Sequence, residues 1–381
     1  MSEVARADSS AEAGARRAAI LAIAAALILR ALFLLQFREN PDTEAYRETA
    51  SIAARGGLVW AETVRYNYSP VWAWTLKGLF HLSRATGAPL TALVLGLLLA
   101  GDHATAALLF AIGRRRLGMT SGRAAGAAAL FLANPVSILA SSFRGMFDNL
   151  AIVFLLLALY AVSAPKPRRL LATGWLSLSL LVKHIAWFHP LILTVRRRSD
   201  RIGFAALLSY AVFLASFLPY LAARPQIEQN VFRYRSMGEP WGTEFLRFVP
   251  GFPTWGTTVI FVVATVAAAL LLSRVEILRA SLLLFLTSLL FLPGITPYYL
   301  VWPIALGSLF AGAGYAAYTV VATCLFLASP DGLSLELAHL PGWGGTWFAA
   351  AFWLLWELRS LGSKKMAMTD ALSDDARGES R

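Results

Sequence analysis

A single cysteine, Cys324, in 381 residues leaves no disulfide framework and no cysteine-based metal site. Charge is also scarce. Only 15% of the residues are charged and 57% are hydrophobic, where a soluble domain carries about 25% charge. Acidic residues are the rarer sign, 22 against 34 basic ones, which gives a formal net charge of +12. That excess does not point to nucleic acid, because Lys and Arg sit in short clusters between apolar runs, the positive-inside pattern of membrane proteins. The weak alternation of a membrane barrel is missing. No internal repeat is visible, which argues against transporter folds built from duplicated halves.

What the chain has is apolar runs of 18–25 residues from end to end, each long enough to cross a hydrocarbon core. Mean hydropathy is +0.60. The reading is an all-α polytopic membrane protein, since helices satisfy their own backbone in lipid. Residues 1–16 and 362–381 read as disordered cytoplasmic tails, and 17–361 as a single transmembrane domain. The first span is 17–37, with Arg16 and Arg17 before it on the cytoplasmic side. The stretch SPVWAWTLKGLFHLS, 69–83, is short and interrupted by Lys77 and His81. If it crossed, the cluster RRR at 114–116 would face outside. It reads instead as an interfacial helix, so 38–87 becomes a large external segment carrying short helices.

Spans at 88–113, 123–142 and 149–164 follow. Residues 170–198 are apolar with both ends basic, so both ends belong on the cytoplasmic side. One span cannot do that, whereas two half-spans meeting near Lys183 and His184 can. A span at 203–221, an external loop at 222–254, and spans at 256–273, 280–292, 298–314, 315–328 and 344–360 complete a bundle of about 12 membrane segments, counting the half-spans.

This threading gathers the unusual polar residues on the external face. Asp42 and Glu44 follow the first span. RYNYSP, 65–70, brings Tyr66 and Tyr68, and FRGMFD, 143–148, brings Arg144 and Asp148. VFRYRSMGEPWG, 231–242, brings Arg233 and Arg235, and PGITPYY, 293–299, brings Tyr298 and Tyr299. The pattern suits a cleft in which a desolvated carboxylate takes a proton from an acceptor hydroxyl while cations hold a leaving phosphate. Each residue also has a plainer reading. Asp42 and Glu44 are an N-cap and a first-turn acid. Lys183 snorkels to an interface. Arg144 and Asp148 pair at i,i+4, Arg233 and Arg235 are loop cations, and Tyr298 and Tyr299 belong to an aromatic belt. Asp102 and His103 read as a buried structural pair or, alternatively, as part of the cleft, and Arg30 as the neutraliser of a neighbouring acid.

The order and spacing of these motifs resemble the GT-C superfamily of integral membrane glycosyltransferases, and within it the family of the GPI first-mannose transferase. PDTE, 41–44, is similar to the family's Asp-x-Asp motif, with Glu44 at the second acid. RYNYSP is similar to its Tyr-Arg-Tyr-Thr-Pro string, with Asn67 in place of Arg. ANPVSILASSFRGMFDNL (133–150), LVKHIAWFHP (181–190), VFRYRSMGEPWG and TPYYLVWP (296–303) resemble later family segments. The resemblance implies an inverting transferase that moves a hexose, mannose first, from a polyprenyl-phosphate donor to a hydroxyl of a glycan or glycolipid at the external face.

It implies Asp42 as base or as the group that orients the acceptor, with Glu44 assisting either directly or with Asp42 through a divalent cation (Mg or Mn), and no organic cofactor. Lys183, His184 and Arg233 or Arg235 would hold the lipid phosphate. Tyr66, Tyr68, Arg144, Asp148, Tyr298 and Tyr299 would contact substrate. The alternatives are a pentose (arabinose-type) transferase of the same superfamily, a lipid-linked sugar flippase, or a non-catalytic subunit of a glycan machine. The Ala/Arg/Leu bias suggests a prokaryotic plasma membrane, with both termini cytoplasmic.

Overall fold

The computed structural model describes residues 3–35, 40–196, 202–234, 241–253, 255–328 and 343–378. Among the described residues all regular structure is helical and there is no strand. Helix α1 (Glu3–Leu35) begins well before the first apolar run, inside the segment expected as a tail. Helix α2 (Pro41–Ala54) starts at a capping box. The Asn40 side chain accepts from the Asp42 and Thr43 N–H groups, and Thr43 Oγ1 accepts from the Asn40 N–H at 3.0 Å. Asp42 is therefore not the cap, and its carboxylate is left for other contacts. After the single turn α3 (Val59–Glu62), helix α4 (Pro70–Thr86) begins with Ser69 as cap and Pro70 in the first turn, and ends at Gly87 with φ 75°.

Helix α5 (Leu90–Arg115) leads to α6 (Ser121–Leu132), whose alanine-rich face packs between α1 and α5. Small side chains let backbones approach closely where lipid supplies no hydrophobic drive. The apolar run then bends by 47° into α7 (Pro135–Ser137) and a π turn, Ile138–Phe143. The cause is local. Pro135 has no N–H, and the Asn134 side chain takes the Val136 N–H at 3.0 Å. The Leu132 carbonyl thereby loses its helical partner and accepts from Arg30 Nε of α1 at 2.9 Å.

Arg30 is fully buried, and its other donors are also met. Nη1 reaches Asp102 Oδ2 of α5 at 2.5 Å and Ser141 Oγ at 3.0 Å, and Nη2 reaches Ser137 Oγ at 2.8 Å. Asn149 Nδ2 donates to Asp102 Oδ1 at 2.5 Å. The acid that Arg30 neutralises is thus Asp102. The expected pairing of Asp102 with His103 does not form: His103 is exposed, its ring against the Leu99 carbonyl at 2.6 Å. Successive residues on a helix point about 100° apart, so one faces the core and the next faces out.

Asn149 belongs to α8 (Asp148–Val162), which packs on α9 (Arg169–Val182). Helix α9 stops at Lys183, and the chain resumes as a 3-10 turn, His184–Ala186, and α10 (His189–Val195). Next come α11 (Leu208–Ala215), the short α12 (Arg224–Ile227) and α13 (Gly256–Leu271). Helix α14 (Ile277–Phe291) is buried along almost its whole length and forms the centre of the bundle. The remainder is α15 (Ile304–Leu309), α16 (Ala313–Ala328) and α17 (Trp343–Gly378), which runs on into the segment expected as the second tail. Gly314 lets α16 and α17 touch, since a Cβ there would lie 2.9 Å from the Trp353 Cα.

Among the described residues, two helical stretches, Leu90–Arg115 and Gly256–Arg274, are long and apolar enough to cross a membrane. The bent pairs Ser121–Leu132 with Pro135–Phe143 and Gly203–Ala215 with Leu218–Phe232 raise the number to four. Other expected spans are shorter apolar helices of 10–17 residues, among them Asp148–Val162 and Arg169–Val182. Outward-facing Ile20, Leu21, Ile28, Val262, Val263 and Leu271 give α1 and α13 exposed apolar faces, as lipid contact requires.

The Arg30 network generates a stability prediction. Asp102→Asn keeps the shape but leaves a buried guanidinium without its counter-charge. It should cost about 3–5 kcal/mol, read by unfolding in detergent micelles, and Arg30→Met combined with Asp102→Leu should restore most of it. An Asp102→Asn protein as stable as the parent would contradict the assignment.

Candidate functional site

The site is built around the break in α9. At Lys183 the backbone is extended (φ −156°, ψ 129°), and the Ile185 N–H turns to the Lys183 carbonyl at 2.8 Å. The Leu181 carbonyl, freed from the helix, accepts from the Ser69 hydroxyl at the start of α4. That bond ties the segment before α4 to the break.

Lys183 is 5% exposed, and its Nζ donates to Asp148 Oδ2 at 2.6 Å. Asp148 is 1% exposed and is the first residue of α8, where the positive helix end favours a carboxylate. Its Oδ1 accepts from Trp302 Nε1 at 2.8 Å. Four rings surround the ammonium: Phe147 at 4.9 Å, Tyr298 at 5.4 Å, Tyr68 at 5.5 Å and Tyr299 at 5.7 Å. A buried, unpaired ammonium is costly. The carboxylate and the ring faces offset that cost.

The rings pack on one another. Phe147 stacks on Trp72 at 4.1 Å, and Tyr46 and Tyr68 meet Phe147 edge-on at 5.9 and 4.7 Å. Tyr299 stacks on Trp302 at 4.6 Å. Asp42 lies at the edge of this cluster, half-buried in the first turn of α2. Its charge is felt inside. Burial first, then the charges of Asp42 and Asp148, hold the Tyr46 hydroxyl well above the usual tyrosine range, and Arg144 opposes them. Burial, then Tyr46, Tyr298 and Asp42, do the same to Tyr68. Asn40 Nδ2 donates to the Arg144 carbonyl at 3.1 Å, which pins the start of α2 to the turn carrying Arg144 and Asp148.

The expected site residues therefore divide. Asp42, Tyr68, Asp148, Lys183, Tyr298 and Tyr299 come together, with buried Arg144 on the adjoining turn. Tyr66 is buried in the fold. Its hydroxyl donates to the Ser69 carbonyl and accepts from the Ala73 N–H at 2.8 Å, which shapes the entry into α4. His184 follows the break and lies against Phe213, ring centroids 6.2 Å apart. Arg233 is exposed and bonded to Glu228 at 2.6 Å, and Arg235 lies outside the described residues. Glu44 pairs with Arg65 at 3.4 Å, both about half exposed.

Asp42 and Glu44 are two residues apart on a helix, so they point to different sides of it. Among the described residues no three His, Cys, Asp or Glu side chains group as a metal site. Trp302, Phe147, Trp72 and Tyr46 belong to the cluster but were not singled out from sequence. Trp302 sits in the TPYYLVWP string, Phe147 in FRGMFD and Trp72 in the stretch 69–83.

No protein-family model matches the chain, and no curated protein matches it. The pair at the break is testable by a double-mutant cycle with Lys183→Met and Asp148→Asn. Touching partners couple by about 0.5–3 kcal/mol, and the buried pair should lie in the upper half of that range. Additive losses would contradict the pairing.

Proposed function

We propose that this protein is a membrane glycosyltransferase of the GT-C type, moving a hexose from a polyprenyl-phosphate donor to a hydroxyl of a glycan or glycolipid. The observation that carries the proposal is a convergence. A half-buried carboxylate, Asp42, lies within electrostatic reach of an aromatic cluster that encloses a paired cation, Lys183. These parts come from α2, the loop before α4, the turn before α8, the break after α9 and the turn before α15. In this reading the apolar helices form a bundle of about 12 membrane segments, with α9 and α10 as half-spans. Both ends are cytoplasmic, the membrane is a prokaryotic plasma membrane, and the cluster is at its outer face.

Asp42 takes the proton of the acceptor hydroxyl. The acceptor oxygen attacks the anomeric carbon from the face opposite the phosphate, and the bond from that carbon to the phosphate oxygen breaks. Polyprenyl phosphate leaves, and the configuration inverts. Tyr68, Tyr298 and Tyr299 present ring faces and hydroxyls to a sugar. Arg144 and Lys183 supply fixed positive charge for the departing phosphate. Because Lys183 is held by Asp148, an incoming phosphate shares that cation with the carboxylate and does not meet it free. Glu44 acts on the exposed side of α2 through Arg65, and no step here passes through a metal.

The test is transfer in proteoliposomes with radiolabelled polyprenyl-phosphate-mannose as donor and host lipids and glycans as acceptors. The parent should transfer label. Asp42→Asn, folded to the same extent, should be slower by about 10²–10⁴-fold, the usual worth of a general base. Equal transfer by both would remove Asp42 as the base. Label crossing the bilayer without transfer would favour a flippase.

A further inference from the structure

Trp302 is buried, and its indole N–H donates to Asp148 Oδ1 at 2.8 Å. A buried indole needs one acceptor, and any nearby backbone carbonyl would satisfy it. Here the acceptor is a charged carboxylate 154 residues away in sequence. Two rings flank the indole. Tyr299 stacks on it at 4.6 Å, and Phe285 of α14 lies 6.4 Å away, tilted by 46°. The backbone is held as well. Trp302 follows the 3-10 turn Pro297–Val301, precedes Pro303, and donates its N–H to the Tyr299 carbonyl at 3.1 Å.

Among the described residues each oxygen of Asp148 has one partner. Oδ1 takes the indole, and Oδ2 takes the Lys183 ammonium at 2.6 Å. The ammonium is less fully used. It can donate three hydrogen bonds, and among the described residues it makes one. The rest of its surroundings are the rings of Phe147, Tyr68, Tyr298 and Tyr299. Ring faces attract the charge but are weaker acceptors than oxygen. A phosphate oxygen is the stronger partner for those remaining donors. The carboxylate competes for the same donors. Its terminal torsion is soft, so with Oδ1 released it can turn and set both oxygens against the ammonium. The indole N–H prevents that turn.

We propose that Trp302 is a positioning residue for the donor phosphate: by holding Asp148 Oδ1 it limits the carboxylate to one bond with Lys183 and leaves the other ammonium N–H groups to the phosphate. The proposal rests on the transferase reading above. Trp302 acts through Asp148 and does not itself touch the substrate.

The test uses the full-length protein as parent, Trp302→Phe, Asp148→Asn and the double variant. Phe keeps a ring against Tyr299 and removes the N–H. The readouts are the dissociation constant of polyprenyl phosphate in detergent, and the donor KM and kcat of transfer in proteoliposomes. Trp302→Phe should raise the dissociation constant and the donor KM about tenfold, the worth of one hydrogen bond to a charged group, and keep kcat at saturating donor. In the Asp148→Asn background the same change should add nothing, because no carboxylate remains to be held. Trp353→Phe trims another buried indole, packed on Tyr315 and Tyr318 of α16, and should change neither constant. Equal phosphate binding by parent and Trp302→Phe would overturn the proposal. So would a fall in kcat alone, or an equal loss in the Asp148→Asn background, since either marks a ring that only packs. A parent that neither binds polyprenyl phosphate nor transfers label would overturn the transferase reading itself, and the proposal with it.

Discussion

Lys183 places a full charge where the chain leaves it little water, and much of the architecture answers that constraint. The extended residue ends α9, and the ammonium draws Asp148 to the start of α8. Asp148 in turn fixes Trp302, and Trp302 stacks on Tyr299. The freed carbonyl of Leu181 takes the Ser69 hydroxyl and so anchors α4. One residue after Asp148, Asn149 reaches Asp102 and through it Arg30. Two buried ion pairs are thus joined at one helix start, and between them they hold α1, α4, α5, α8 and α9. Breaking a buried pair leaves an uncompensated charge, so neither pair can be loosened locally without the other registering it.

The same constraint organises the proposed chemistry. Asp148 occupies Lys183, and Asn40 rather than Asp42 caps α2 at the edge of the ring cluster. An acid free of the capping role, near rings but still half-exposed, can both meet an acceptor hydroxyl and be reached by it.

The all-helical class and some of the helix boundaries were legible in the sequence. The basic flanks of 170–198 forced a break, and the break falls at Lys183. The short, interrupted stretch at 69–83 is the helix Pro70–Thr86. Less legible was anything that depends on which way a side chain points. Asp102 and His103 are neighbours in sequence, but one is buried and the other exposed. Tyr66 and Tyr68 sit in one motif, yet one closes a turn and the other faces the ammonium. Hydropathy also cannot see a bend such as Asn134–Pro135, where an apolar run that reads as one span is two helices meeting at 47°. The pairing of Asp148 with Lys183, 35 residues apart, had no local signature at all.

The most direct measurement is a structure of the protein in a lipid nanodisc with a non-transferable phosphonate analogue of a polyprenyl-phosphate hexose. The account predicts sugar density between the Asp42 carboxylate and the Tyr68, Tyr298 and Tyr299 rings, with the phosphonate toward Arg144 and Lys183. Sugar density along a path through the bundle, or at its opposite end with the aromatic cluster unchanged, would contradict it.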